Sequence, residues 1–211
     1  MSDSYSHLAK AIRGCRVCID SPRGSPLPHE PRPVFRGKPG ARIVLAGQAP
    51  GTKVHLSGTP YTDASGERLR SWLGVDDATF YDETNLAIIP MGFCFPGQDS
   101  KGGDLPPRPE CAATWHDRLM QQFRNIELLV LIGQYAQRYH FRRLGLDAHL
   151  GSSLQATVEN WQIAYGANAS PRVIPVPHPS WRNTGWLKKN PWYERDLLPV
   201  LQADVRRILG K

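Results

Sequence analysis

The sequence has little of several features that define whole classes of protein. No apolar run approaches the roughly 18 residues that a membrane-spanning helix needs. The first residues also lack the apolar core of a secretory signal peptide, and the chain has no internal repeat and no low-complexity tract. We therefore expect a cytoplasmic protein with no membrane segment. Its length predicts one domain over residues 1–211, and we expect a monomer.

Cysteine is also scarce, with four among 211 residues. A reducing compartment disfavours disulfides between them. Two residues separate Cys15 from Cys18, whereas sixteen separate Cys94 from Cys111. Four thiolates used as two pairs suit a metal site that holds either a [4Fe–4S] cluster or zinc. Zinc ribbons favour two tight pairs, and the second pair here is wide. Buried thiols without a metal are the simpler alternative.

Positive charge, glycine and proline are abundant by comparison. The formal net charge is +7, which favours nucleic acid or another anionic surface as a partner. Glycine and proline number 19 each and cluster in residues 21–40 and 95–109, where we expect irregular segments. The hydrophobic content of 40% is that of an ordinary globular core.

Four short apolar runs alternate with segments of helical spacing. The predicted strands are 42–47, 86–91, 128–133 and 172–176. The predicted helices are 4–14, 67–73, 111–123, 134–144 and 192–209. Residues 51–66 have the composition of a loop, and 145–170 are ambiguous. This alternation predicts an α/β fold with a central four-stranded parallel sheet and helices on both faces.

The ends of these strands carry the residues of chemical interest. All strand exits of a parallel sheet lie on one edge, where ligands bind in α/β proteins. We therefore expect four segments to meet around one cleft. They are Gly47-Gln48, Met91-Gly92, Gly133-Gln134 and His178-Pro179-Ser180.

Two of these segments resemble the motifs of a known family. The loop Gly47-Gln48-Ala49-Pro50-Gly51, followed by Gly58-Thr59-Pro60-Tyr61 and Gly66, resembles the first motif of the uracil-DNA glycosylase superfamily. It is closest to the iron–sulfur branch, family 4. His178-Pro179-Ser180 resembles the second motif, and with the cysteines the resemblance covers about residues 8–205.

The resemblance implies a three-layer α/β/α fold and an enzyme that flips a base out of DNA and hydrolyses its N-glycosidic bond. His178 would then donate toward the uracil O2, while backbone groups of Gln48 and Ala49 hold the uracil edge or the water. Tyr61 would stack on the base, and Trp181 and Arg182 would probe the duplex. The remaining candidate contacts with base or DNA are Gly47, Gly51, Met91, Gly92, Ser180, Lys188 and Lys189.

The chain departs from the family where carboxylates are expected. Gln48 replaces the Glu usual in the iron–sulfur branch, and Val54-His55 replaces a Glu-Asp pair. The nearest substitutes are His55 and Asp63. Asp63 either acts as the general base or caps the following helix. Pro90 stands where the family has a uracil-reading Asn, so the backbone of Met91-Gly92-Phe93 is expected to read the base instead.

The predicted function is therefore a DNA glycosylase acting on uracil or a related deaminated or damaged base in single- or double-stranded DNA, at the start of base excision repair. The resemblance favours a [4Fe–4S] cluster on Cys15, Cys18, Cys94 and Cys111 over zinc. One alternative is a catalytically silent protein that binds uracil or abasic DNA. Another is a hydrolase or transferase acting on free nucleotides.

Overall fold

The computed structural model describes residues 4–167 and 170–211. Its sheet has four strands, all parallel, in the order β2-β1-β3-β4. Their bounds are β1 Ile43–Ala46, β2 Leu86–Ile88, β3 Leu128–Ile132 and β4 Arg172–Val176. The predicted strands are thus confirmed, with β1 and β3 as the inner strands, because β1 pairs with β2 and β3 while β3 also pairs with β4.

Helices flank this sheet along most of the chain. Those in the described ranges are α1 Tyr5–Arg13, α2 Val17–Asp20, α3 Thr52–Ser57, α4 Ala64–Leu73, α5 Asp77–Phe80, α6 Pro109–Met120, α7 Gln134–Arg143, α8 Leu154–Glu159, α9 Trp161–Ala167, α10 Thr184–Lys189 and α11 Leu198–Leu209. A π-helical segment, Tyr193–Leu197, leads directly into α11. Within the described ranges, no helix combines the length and apolar character that a bilayer crossing requires.

The strands are buried on both faces because each side of the sheet is covered. Alternate residues of a strand point to opposite faces, so Val44 and Ala46 join one core while Ile43 and Leu45 join the other. Helices α1, α6 and α7 contribute to the first core, and α4 and α11 to the second. The result is the expected three-layer α/β/α arrangement.

Two stretches differ from the sequence prediction. Residues 51–66, predicted as loop, contain the short helix α3, which ends at Gly58 in a left-handed conformation with φ 72°. The ambiguous stretch 145–170 forms a 3₁₀ turn, Asp147–His149, and then α8 and α9, while residues 168 and 169 lie outside the described ranges. Short helices have little periodicity of their own, and packing on the sheet decides them.

Candidate active site

An open cleft of about 590 Å³ lies where the loops after β1 and β4 come together. Its walls come from the loop 47–51, the start of α3, the segment 60–65, the 98–105 region and the turn after β4. The candidate residues that line it are Gly47, Gln48, Ala49, Gly51, Tyr61, Asp63, His178, Ser180, Trp181 and Arg182. Two of the four expected segments, the loop after β1 and the turn after β4, therefore meet at this cleft. The expectation for Gly133-Gln134 is wrong, because neither residue lines the cleft and Gln134 instead lines a separate pocket between α7 and α8.

The loop after β1 is held in place by the strand next to it. Gly47 O accepts a hydrogen bond from Met91 N at 2.9 Å, and Gln48 O accepts one from Gly92 N at 2.9 Å. These bonds continue the ladder of the sheet beyond its last regular residues. The loop 47–51 is consequently fixed relative to the sheet before any ligand binds.

Tyr61 occupies the cleft wall in an unusual backbone conformation. Its φ is 59°, a left-handed value that is strained for a side chain of this size. Its carbonyl accepts hydrogen bonds from Arg70 Nη1 at 3.1 Å and from the Tyr81 hydroxyl at 3.2 Å. The ring meets Phe80 edge to face with centroids 6.0 Å apart. These contacts keep the ring against the loop 47–51.

Two motif glycines make room for Tyr61. A Cβ on Gly66 would lie 1.8 Å from the Tyr61 carbonyl oxygen, and a Cβ on Gly47 would lie 2.9 Å from its hydroxyl. Any larger residue at either place would push the tyrosine away. The spacing Gly47…Tyr61…Gly66 therefore has a steric origin in this chain.

His178 follows β4 and has a defined tautomer. Its Nδ1 accepts a hydrogen bond from Ser180 N at 3.2 Å, which leaves the proton of the neutral ring on Nε2. Burial lowers the pKa of His178, while the carboxylates of Asp63 and Asp104 oppose that shift. Asn183 Nδ2 donates to the His178 carbonyl at 2.7 Å and fixes the turn. The cleft thus contains a neutral imidazole whose free nitrogen is a donor.

Helix α4 anchors the turn after β4 from the opposite side. Arg68 Nη1 donates to Ser180 O at 2.9 Å, and its Nη2 donates to Thr184 Oγ1 at 3.1 Å. The second motif is therefore tied to the helix that follows the first motif. Sequence analysis did not identify Arg68, because a single arginine on a helix carries no specific signal.

The mouth of the cleft is aromatic and basic. Trp181 is 76% exposed, and the Arg182 guanidinium lies 6.0 Å from the centre of its ring. Lys53, at the start of α3, also lines the cleft and is exposed. Lys188 and Lys189 are exposed on α10 but do not line the cleft. Lys53 and Arg182 thus give the mouth of the cleft a positive charge, and Lys188 and Lys189 add further positive charge outside it.

Two carboxylates line the cleft. Asp63 caps α4, with its Oδ1 accepting a hydrogen bond from Gly66 N at 3.2 Å. The cap expected from the sequence is therefore present, on a side chain that also faces the cleft. Asp104 is the second carboxylate, and sequence analysis missed it because it lies in a Gly-rich segment without secondary-structure periodicity. His55 is absent from the cleft lining, because its ring contacts His29 and Phe95.

The expectation that the backbone of Met91-Gly92-Phe93 reads the base is corrected by the hydrogen bonding. The N–H groups of Met91 and Gly92 are used by the loop 47–51, and that of Phe93 donates to Cys111 Sγ at 3.3 Å. Met91 is 4% exposed and, like Gly92, lies outside the cleft lining. At the end of this strand, Ile88 and Pro90 line the cleft.

The four cysteines line a second, smaller cavity beside the cleft. It lies between α1, α2, α6 and the segment after β2. Trp115 Nε1 donates to Cys15 Sγ at 3.2 Å, and Phe93 N donates to Cys111 Sγ at 3.3 Å. Donors aimed at sulfur are the environment in which metal-bound thiolates are found.

Burial raises the pKa of the Cys18, Cys94 and Cys111 thiols and so disfavours their thiolate forms. Burial raises the pKa of Cys18 to about 11 and that of Cys94 to about 12. Such groups are protonated thiols at neutral pH unless a metal ion displaces the proton. In the described ranges, no group of three or more His, Cys, Asp or Glu side chains has the arrangement of a metal-ion site.

The chain was compared with models of known protein families. Residues 34–202 match the model described as the uracil DNA glycosylase superfamily. The match spans both loop motifs and all four strands of the sheet. It begins after Cys15 and Cys18, so it includes only half of the cysteine set.

Proposed function

The chain belongs to the uracil DNA glycosylase superfamily, and from that membership we propose that it is a DNA glycosylase. It hydrolyses the N-glycosidic bond of uracil or a related deaminated or damaged base and so begins base excision repair. The observation that carries this proposal is the cleft itself. His178, with its proton on Nε2, lines the same cleft as the loop 47–51 and Tyr61.

The reaction needs stabilisation of a base that leaves as an anion. His178 Nε2–H donates to the base oxygen on which charge develops, and as a neutral donor it does so without protonating the base. Ser180 N, bonded to Nδ1, fixes that orientation before the substrate arrives. Removing one preorganised donor of this kind costs roughly 10²–10³ in rate.

Beside the end of β2, where the resemblance places the uracil-reading Asn, the cleft is lined by Ile88 and Pro90, which cannot distinguish one base edge from another. Pro90 offers no side-chain donor, and the following backbone N–H groups are already bonded. The Gln48 amide donates to Leu105 O at 3.5 Å. We therefore propose a broad preference that includes uracil and other deaminated or oxidised bases, read by shape and by stacking on Tyr61.

The DNA strand passes over the mouth of the cleft. Trp181 is an exposed aromatic side chain next to the flipped base, and such groups fill the gap or stack on neighbouring bases. Lys53 and Arg182 contact phosphates on either side. Lys188 and Lys189 extend that basic surface beyond the cleft.

A [4Fe–4S] cluster on Cys15, Cys18, Cys94 and Cys111 is part of the proposal. The shared cavity and the two donors to sulfur support it. When bound, the cluster supplies cross-links between α2, the segment after β2 and α6, and no reacting group. Iron and acid-labile sulfide in the purified protein, both lost in Cys94→Ser, are expected. Stoichiometric zinc instead would overturn the cluster assignment.

The enzymatic proposal is tested by base release from oligonucleotides. Single- and double-stranded DNA with one uracil, hypoxanthine, xanthine or oxidised pyrimidine is incubated with the wild-type protein, and abasic sites are revealed by alkaline scission. We expect scission with at least the uracil strand. Tight, lesion-dependent binding without scission would instead identify a silent binding protein. Turnover of mononucleotides alone would identify a small-molecule hydrolase.

A further inference from the structure

The cleft has a carboxylate that the two motifs do not supply. The loop 47–51 contains no acidic residue, and of the two cleft carboxylates Asp63 uses one oxygen, Oδ1, to cap α4. Asp104 is the other, and it is solvent-exposed at the cleft edge, where water reaches it. It comes from the irregular segment between β2 and α6.

This segment presents Asp104 on a tight hairpin, residues 97–105. Leu105 N donates to Gly97 O at 2.9 Å and Asp99 N donates to Gly103 O at 2.8 Å. At the tip, Asp99 Oδ1 accepts hydrogen bonds from Lys101 N at 2.8 Å and from Gly103 N at 2.9 Å. The hairpin is therefore ordered by its own hydrogen bonds rather than being a loose loop.

The hairpin is docked on the loop of the first motif. Gln48 Nε2 donates to Leu105 O at 3.5 Å, the residue next to Asp104. A Cβ on Gly51 would lie 3.3 Å from Asp104 Oδ2, so the carboxylate stands directly over the end of the loop. Gln98 Nε2 donates to Oδ1 at 3.3 Å. Among the described residues, no hydrogen-bond donor engages Oδ2.

The hydrogen bond to Leu105 explains why position 48 is Gln here rather than the Glu usual in the iron–sulfur branch. An amide donates to the Leu105 carbonyl, whereas the carboxylate of a Glu would face it as a second acceptor and be repelled. Gln48 therefore favours the docked hairpin. The loop thus lacks a carboxylate of its own, and its amide at position 48 holds in place the hairpin that carries Asp104.

We propose that Asp104 is a catalytic base that orients and deprotonates the attacking water, with Gln48 as its positioning residue. This inference rests on the proposed glycosylase function. The water oxygen bonds to C1′ of the sugar, the bond from C1′ to the base nitrogen breaks, and its electron pair leaves with the base. The water proton passes to Asp104 and then, through solvent, to the base anion. One water is consumed, and the products are the free base and an abasic sugar.

The test compares Asp104→Asn with wild type in single-turnover base release from the lesion strand that wild type processes best. We expect the rate to fall by about 10²–10⁴, the usual contribution of a general base. DNA affinity, measured separately, should stay equal or rise, because a negative charge near the phosphates is removed. Asp147→Asn, a change to an exposed ion pair with Arg142, is the matched control and should keep the wild-type rate.

Asp63→Asn decides between the two cleft carboxylates, since Asn retains the ability to cap a helix. We expect it to lose less activity than Asp104→Asn. Added formate should restore part of the rate of Asp104→Ala, which a purely structural role for Asp104 does not predict. The proposal is overturned if Asp104→Asn releases base at the wild-type rate, or if Asp63→Asn carries the whole loss. If wild type itself releases no base, the glycosylase function fails instead.

Gln48→Glu tests the positioning role. We expect about a tenfold slower single-turnover rate, with DNA affinity equal or slightly lower because a negative charge is added near the phosphates. In a double-mutant cycle the loss should disappear when Asp104 is already Asn, because the two changes act on the same step. Additive losses would show that Gln48 acts independently of Asp104 and would overturn that part of the proposal.

Discussion

At the scale of single residues, the site depends on close contacts that only glycine permits. Gly66 lies against the carbonyl of Tyr61, and the neighbouring atom is backbone, which cannot rotate away. Tyr61 is in turn held at a positive φ by hydrogen bonds from Arg70 and Tyr81. The strained tyrosine and the glycine that accommodates it are one steric unit.

Gly66→Ala is therefore expected to reduce stability and base release together. Forcing a methyl into this space should cost about 1–3 kcal/mol in the free energy of unfolding, measured by denaturant titration. Gly166→Ala is the matched control, because a Cβ there meets no atom within 4 Å in helix α9. That change should be neutral or stabilising by up to about 1 kcal/mol. Equal effects of the two substitutions would contradict the steric account.

At the scale of elements, the short segment after β2 joins two sites. Its three consecutive N–H groups, from residue 91 to residue 93, donate hydrogen bonds in turn to Gly47 O, Gln48 O and Cys111 Sγ. The cleft loop and the cysteine cavity therefore share one stretch of backbone. Helix α6 packs on this stretch through His116, whose ring stacks on Phe93 with centroids 5.1 Å apart.

The burial of His116 makes the attachment of α6 sensitive to acid. His116 is 0% exposed, and burial lowers its pKa to about 4. Below the unfolded value of about 6.5, the unfolded chain binds a proton that the folded chain does not, so stability falls as the pH drops from about 6.5 to 4. The loss attributable to His116 is on the order of 3 kcal/mol.

His116→Leu is expected to flatten this dependence. The free energy of unfolding, measured between pH 7.5 and pH 4.5, should decline less steeply in the variant than in wild type. Part of the decline of the unfolding free energy with falling pH should remain in the variant, because burial also lowers the pKa of His140. Identical slopes in the two proteins would show that His116 does not contribute to the pH dependence.

At the scale of the whole molecule, the net charge of +7 gives a test of the ligand class. If the protein neutralises roughly three to five phosphates of the bound strand, the logarithm of the DNA association constant should fall linearly with the logarithm of the salt concentration. The expected slope is about −2 to −4.5. Lys53→Gln should reduce that slope by about one, because a single phosphate contact is lost. A slope near zero for wild type would contradict DNA as the ligand.

The sheet and the position of the cleft are predictable because both follow from strong local signals. Four buried apolar runs specify the strands, and a parallel sheet brings their exits to one edge. Asp104 is not predictable in this way, because its hairpin is ordered by hydrogen bonds within a Gly-rich segment. The hydrogen bonds from the Met91 and Gly92 N–H groups to the loop 47–51 could not be predicted either, because they depend on which backbone carbonyls that loop presents.

The proposed hydrolytic site brings loops that are distant in the chain together around His178. The most direct measurement is the single-turnover rate of base release by His178→Ala, with the dissociation constant for the same DNA measured in parallel. We predict a rate roughly 10²–10³ below wild type, from loss of a preorganised donor, with affinity changed by no more than a few-fold. A variant that releases base at the wild-type rate would contradict the claim.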